Sequence, residues 1–556
     1  MTPAVPVEGW EKAAADARQR VYDSIPAAWR LPAHLLEKAS SSALKPSDCE
    51  GNDIGILSEK DISITTLLDV NELLTALAQG VWTALEVTTA ICKRAAIAHQ
   101  CTSCLTCFFP QEALDRAGEL DRYLKTEGKV VGPLHGLPVS FKDLYGIKGK
   151  PSSIGLVSWL GNIVADDSLC AKATVEAGGI LFAKTGTSQA CLMVESINNI
   201  FGAIRNPHNP ALSAGGSSGG EAALIAAKGS IVGFGTDGGG SIRFPAMFCG
   251  LWGLKCSKGR LPGKGLASTY DGSESVNAGL GPMSQSVSGL EVMLQTQLDA
   301  EPWLRDPGCI PMPWKEHEAV QNSRKLRVGI ILDDGVVEPV APVMRSMQTV
   351  MTKLAEAGHE LIELPVQLTK DLHRRGTASA MKSNVQNGGR SVMKHIEASG
   401  EPVVPRTAVG SAQSLLTSEE IFANHMDRAK IAGEYAEIWQ TFQLDAILAP
   451  AVAHPAPPHG QYISNSYATM YNMLDYVAGS IPVTTVQETD MPGSAWLQKE
   501  PYPRIEPVRF PYDLGDEEMK KLFTCRWNLR TIRGDDEGAR RDYDSGKKSN
   551  ESCLQI

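Results

Sequence analysis

One segment constrains this chain more than any other: residues 205–262, RNPHNPALSAGGSSGGEAALIAAKGSIVGFGTDGGGSIRFPAMFCGLWGLKCSKGRLP. Glycine loses more conformational freedom on folding than any other residue, so it is kept where the backbone must turn unusually or approach something closely. The chain carries 52 glycines, and many of them fall here, so the bias is local rather than low complexity. SerIleValGlyPheGlyThr (230–236) reads as a buried strand. It runs directly into Asp237-Gly238-Gly239-Gly240-Ser241. Successive N–H groups in such a turn can converge on one oxygen. With Ser241 next in line, the segment offers what acyl transfer requires: a nucleophile beside preorganised donors for a developing oxyanion. A phosphate cradle is the plainer reading of a glycine turn after a strand. No Gly-Lys-Ser/Thr follows, however, and the dinucleotide-binding spacing is missing.

Two further patterns lie just upstream. Ser218-Gly-Gly-Glu221 has capping-box spacing ahead of an Ala-rich stretch, which predicts a helix capped by Ser218. Gly215-Gly-Ser217-Ser-Gly219 matches Gly-x-Ser-x-Gly, the nucleophile elbow of α/β-hydrolases. That motif has to follow a buried strand. Here AsnProHisAsnProAlaLeuSerAla precedes it, which is loop chemistry. The eleven histidines are scattered, so a Ser-His-Asp reading finds no placed base.

The rest of the chain supplies the frame. Trp10 to Tyr22, Thr65 to Leu77 and Thr83 to His99 read as helices, with Pro26, Pro32, Pro46 and the serines at 40–42 marking loops between the first two. From 132 onward short apolar runs alternate with helical stretches. GlyLeuProValSerPheLysAsp (136–143) is a strand ending at Lys142, and GlyIleLeuPheAlaLysThr (179–185) is another. Strands are also expected at 326–333, 360–365 and 444–450, and helices at 342–357 and 427–441. This alternation predicts an α/β fold with a mostly parallel central sheet covered by helices on both faces. The formal charge of −10 without a basic stripe argues against nucleic acid and anionic membrane surfaces as partners. The N-terminus lacks the pattern of a signal peptide, and no apolar run is long enough to span a bilayer, so a cytoplasmic location is expected. Twelve cysteines in such a chain read as reduced, mostly buried thiols.

Taken together, GGSSGG (215–220), GTDGGGSIRFPA (235–246), GLK and GRLP (253–262) and GPLHGLPVSFKD (132–143) resemble the amidase signature family. The resemblance runs from about 55 to about 485, and is strongest to fungal acetamidase-type and general amidases through GILSE (55–59), GPMSQSV (281–287), IPMPW (310–314) and LDAILAP (444–450). It implies a Ser-Ser-Lys triad in which Ser241 attacks the amide carbonyl, Ser217 (on a cis peptide) bridges, and Lys142 accepts the proton. It also implies an oxyanion site formed by the N–H groups of Gly238, Gly239, Gly240 and Ser241, an acyl pocket near Cys191, and supporting roles for Ser218, Asp237 and Arg243. No cofactor is implied. A lysine base must lose its proton near neutrality, a drop of about three pKa units or roughly 4 kcal/mol, which burial can supply. An isolated lysine after a strand is ordinarily a solvated loop charge; the GPLHGLPVS context overrides that reading for Lys142.

On this basis residues 1–75 form an N-terminal helical extension, 76–520 one amidase signature domain, and 521–556 a divergent tail expected to be disordered. The partner is a small amide, and a homodimer is left open. After about 485 the family pattern thins: the Gly-x-Pro-x-x-Gln strand is not found, which reads as a shifted frame or splice junction and puts sheet completion in doubt. A folded but impaired homologue and an amidotransferase-type subunit are therefore the alternative functions. Cys101-x2-Cys104-x2-Cys107 lacks the further ligands of a metal site, and Cys553-Leu-Gln-Ile556 departs from a prenylation box at its third position. Neither a metal nor a lipid is expected.

Overall fold

The computed structural model describes residues 9–490 except 52–53, 277, 316–324, 463 and 488–489. The expectations for the C-terminal tail and for Cys553 lie outside these residues.

Twelve strands are described: β1 (Leu105–Phe108), β2 (Pro138–Lys142), β3 (Ile180–Thr185), β4 (Ile197–Asn198), β5 (Gly202–Ala203), β6 (Val232–Asp237), β7 (Trp252–Lys255), β8 (Gly279–Ser284), β9 (Arg327–Ile330), β10 (Glu360–Glu363), β11 (Ala446–Leu448) and β12 (Ala478–Ser480). Seven form the central sheet in the order β1-β3-β2-β6-β8-β7-β12. Its middle is parallel, β2 pairing with both β3 and β6, and the remaining pairs are antiparallel. The sheet is therefore mixed. A separate parallel sheet, β10-β9-β11, is built from the three strands expected between 326 and 450. Helices flank the sheets, giving the α/β architecture.

Strand alternation decides what the centre of the sheet can do. Successive side chains point to opposite faces. On one face Phe141 stacks on Phe234 at 5.3 Å between ring centroids and meets the Tyr145 ring edge-on at 5.2 Å. On the other, Ser140 and Lys142 point to the segment and helix that contain Ser217 and Glu221. The helix Gly219–Ala226 comes close because β6 has glycine at the facing positions. A Cβ at Gly235 would lie 2.9 Å from Ser218 Oγ.

The N-terminal helices are part of this packing. Ala17 and Val21 of the helix Trp10–Asp23 belong to the main core together with β2 and β6 residues. The expected helix Thr65 to Leu77 is two helices, Glu59–Thr66 and Val70–Ala78. Asp69 breaks it: its carboxylate accepts from the N–H groups of Asn71 and Glu72, caps the second helix, and outcompetes a continuous backbone ladder. The helix Ala84–Thr102 starts as expected, on a capping box between Thr83 and Glu86.

Phe141→Ala should cost about 3–5 kcal/mol, because the cavity would open in a fully packed aromatic cluster. It should leave the pH dependence of activity unchanged, since Phe141 lies on the face away from Lys142. Denaturant unfolding and a pH–rate profile of the variant check both.

Candidate active site

The end of β2 brings Lys142 to a site with no solvent access. Its Nζ lies 2.7 Å from Ser217 Oγ and 2.9 Å from Thr236 Oγ1, with the Thr236 carbonyl at 3.4 Å. Among the described residues no carboxylate comes within ion-pairing distance of it. Burial pushes the lysine below its ordinary value, and its neighbours Cys191, Asp237 and Glu221 act in the opposite sense. Lys184, at the end of the neighbouring strand, is a contrast. It is equally buried but lies 3.6 Å from Asp143 and donates to the Pro151 carbonyl at 2.5 Å.

Ser217 follows a cis peptide bond at Gly216–Ser217, as the resemblance implied. Its carbonyl accepts from Ser196 Oγ at 3.1 Å, and the same hydroxyl accepts from the Gly219 N–H at 2.8 Å. No strand leads directly into Ser217, the preceding one ending at Ala203, so the Gly-x-Ser-x-Gly match is not an elbow. Ser218 corrects a sequence expectation. The helix does begin after it, at Gly219, but the Ser218 side chain does not cap it. Ser218 Oγ instead pairs with the main chain of Thr236, donating to its carbonyl at 3.3 Å and accepting from its N–H at 3.4 Å. The Ser218 N–H donates to the Ser241 carbonyl at 3.1 Å. Ser218 therefore ties the Ser217 segment to the loop after β6. The capping-box signal fails because Glu221, its second half, is fully buried and engaged elsewhere.

The loop after β6 is held from one side by Asp237. Its carboxylate accepts from the N–H groups of Gly240 (2.7 Å) and Ile242 (3.1 Å), and from Arg243 Nε and Nη2, both at 2.9 Å. Burial alone would raise the Asp237 carboxyl, but the Arg243 guanidinium and these donors outweigh it and hold the group well below the usual carboxylate range. Gly240 has φ +111°, and a Cβ there would lie 2.1 Å from the Phe244 ring, so no other residue fits. The expectation of four oxyanion donors needs one adjustment. The Gly240 N–H is already turned onto Asp237, while among the described residues nothing accepts from the N–H groups of Gly238, Gly239 or Ser241. Ser241 is 9% exposed and stands directly before the helix Arg243–Cys249. Cys191 is half-buried, has φ +61°, and places its sulfur 3.3 Å from Thr187 Oγ1.

Several contributors were not singled out from the sequence. Thr236 lies inside the recognised motif but gave no separate signal. Asn472 gave none, being 235 residues from Asp237. Its Nδ2 donates to the Asp237 carbonyl at 2.7 Å and its Oδ1 accepts from Arg243 Nη2 at 2.6 Å. Arg243 Nη1 donates to the Ala468 carbonyl at 2.9 Å. The helix Ser466–Met473 thus closes over the loop and completes the satisfaction of its buried ion pair.

Arg243→Ala would leave Asp237 buried and unpaired, and should destabilise the protein by about 3–5 kcal/mol. The Asp237 contribution should be fully present above its ordinary pKa of about 3.9 and fade as pH falls towards the depressed folded value. Urea unfolding of wild type and variant between neutral and acidic pH reads both effects: the gap between them should narrow on the acid side.

Comparison with known proteins places the family. Residues 86–503 match the family profile described as Amidase. An acetamidase of Aspergillus oryzae is 38% identical over 493 residues, covering 86% of this chain and 88% of its own. An acetamidase of Emericella nidulans is 37% identical over 490 residues, covering 86% and 87%. The structure of a fatty acid amide hydrolase superposes with a TM-score of 0.80 at 30% identity, covering 87% of this chain and 86% of that one. A bacterial aryl acylamidase of the amidase signature family shares the fold, with a TM-score of 0.65 at 21% identity and coverage of 75% and 89%. This chain belongs to the amidase signature family and is an enzyme that hydrolyses amide bonds.

Proposed function

We propose that the enzyme cleaves small carboxylic amides through an acyl-enzyme on Ser241, with Ser217 and Lys142 as its proton relay. The observation that carries this reading is the 2.7 Å contact between Lys142 Nζ and Ser217 Oγ in a fully buried setting without a carboxylate partner. A neutral amine there has a lone pair for the Ser217 proton, and Ser217 in turn takes the proton of Ser241. Ser241 Oγ then bonds to the amide carbon, and the C=O pair moves onto oxygen. The N–H groups of Gly238, Gly239 and Ser241 are the donors for that oxyanion, aimed by the Asp237 brace. Collapse of the intermediate expels ammonia or an amine, protonated by way of Ser217 from the lysine. Water then attacks the ester, its proton passing through Ser217 to the lysine; on collapse the lysine returns that proton through Ser217 to Ser241 Oγ, and the acid released ionises to the carboxylate.

The relatives support a substrate class. Two of them are named acetamidases and match over nearly their whole length, which favours acetamide-type or small aliphatic and aryl amides. Cys191, half-buried, is assigned to the acyl side of the pocket from the family resemblance.

A fluorophosphonate probe should label the wild-type protein on Ser241, and Ser241→Ala should lose both labelling and acetamide or benzamide hydrolysis. Labelling that persists in that variant would refute the nucleophile assignment. Soluble, unlabelled wild type would identify the protein as a folded but inactive homologue. Since the relay needs a neutral lysine, kcat/KM should fall on the acidic side as Lys142 becomes protonated. That limb should lie below the ordinary lysine value of about 10.4, because burial disfavours the ammonium.

A further inference from the structure

One fully buried carboxylate near Lys142 has no part in the relay and no cation in hydrogen-bond contact. Glu221 lies on the helix Gly219–Ala226, whose first residue follows Ser217 and Ser218. Its Oε1 accepts from Ser140 Oγ and its Oε2 accepts from Thr185 Oγ1 at 2.6 Å. Both partners are significant by position. Ser140 precedes Lys142 by two residues on β2, so the pleat puts both side chains on one face. Thr185 is the residue paired with Lys142 across the β2–β3 ladder. Ser140 Oγ also lies 2.8 Å from Ser230 Oγ, just ahead of β6. All four residues are fully buried. A Cβ at Gly233 of β6 would come 1.9 Å from Glu221 Oε1, so the carboxylate occupies space that the strand leaves open for it.

A buried carboxylate in an Ala-rich helix is costly, and a structural link could be made by a neutral side chain. We infer that Glu221 is a positioning residue that rivets the Lys142 end of β2 to the helix behind Ser217 and places a buried negative charge within electrostatic reach of that lysine. The inference rests on the relay reading of Lys142. Above about pH 7, where the carboxyl is ionised, the charge opposes the desolvation of the ammonium, so it keeps the lysine from being neutralised too completely to return a proton to the leaving group. Burial raises the Glu221 carboxyl to about 7, against the lowering influence of Ser140, Thr185 and Lys142. The other titratable groups within its reach are Cys104 and Tyr145, and those acting on Lys142 are Cys191 and Asp237.

The test compares pH profiles of kcat/KM for acetamide hydrolysis in wild type, Glu221→Gln, Thr185→Val and Lys142→Ala, with thermal unfolding of each. Glu221→Gln removes the charge that favours the ammonium. Its acid limb should move to lower pH by about half a unit or more. Thr185→Val keeps the carboxylate but removes a donor to it, so the carboxyl protonates more readily; the limb should move the same way by less. A merely structural Glu221 would lower activity at every pH by one factor and leave the limb in place. Coincident limbs in a folded Glu221→Gln overturn the inference. If that variant does not fold, an unmoved limb in Thr185→Val does so. Lys142→Ala separates the two readings: if it retains activity the relay itself fails, whereas if it is inactive and the limbs coincide, only the role of Glu221 fails.

Discussion

Burial of Lys142 among hydroxyls rather than carboxylates is the constraint on which the rest of the site depends. An ammonium taken out of water loses several kcal/mol of solvation even after the protein relaxes. A buried lysine normally recovers part of it from an acidic partner, as Lys184 on the neighbouring strand does from Asp143, although burial still lowers that lysine. Lys142 meets Ser217 and Thr236 instead. Ionisation is thereby disfavoured, and burial lowers the lysine from its ordinary value. The fold supplies this by ending a central parallel strand under a helix that only glycine-bearing β6 allows to approach.

A second, opposite arrangement stands a few residues away. Asp237 and Arg243 are also buried, but they are paired, and every strong donor and acceptor between them is engaged with the glycine loop, Ala468 or Asn472. A satisfied ion pair holds a backbone in place, and here the backbone is the glycine loop that leads into Ser241. One site thus holds Lys142 by withholding a countercharge and the glycine loop by providing one. Ser218, between them, bonds to the main chain of Thr236 and Ser241 and keeps the two halves in register.

Much of this was legible beforehand, for identifiable reasons. The strand ending at Lys142, the strand 230–236 and the glycine turn are local patterns, set by alternation and by residues that permit unusual backbone. Long helices with capping boxes, such as the one after Thr83, were equally clear. The failures are also physical. The single helix read at Thr65–Leu77 is divided because Asp69 offers the backbone a local hydrogen bond that periodicity does not register. The Ser218-x-x-Glu221 spacing suggested a cap, but the two side chains turn to β6, β2 and β3, because tertiary partners for a buried hydroxyl and carboxylate outweigh a local one. The one charge in the Ala-rich helix was the available signal for Glu221, and the cap pattern concealed it. Gly240 was grouped with the oxyanion donors, although its N–H is committed to Asp237.

The sequence by itself determined the α/β class, the glycine loop with Ser241 behind it, and the family, since these rest on short-range pattern and on motifs long enough to be specific. Tertiary structure decided what no local pattern contains. It mixed antiparallel pairs into the sheet around a parallel centre, it laid Lys142 against Ser217 across 75 residues of chain, and it brought Asn472 over the loop from 235 residues away. Those contacts depend on which faces meet when the sheet and helices pack, and the protonation of a lysine depends on that packing more than on its neighbours in the chain.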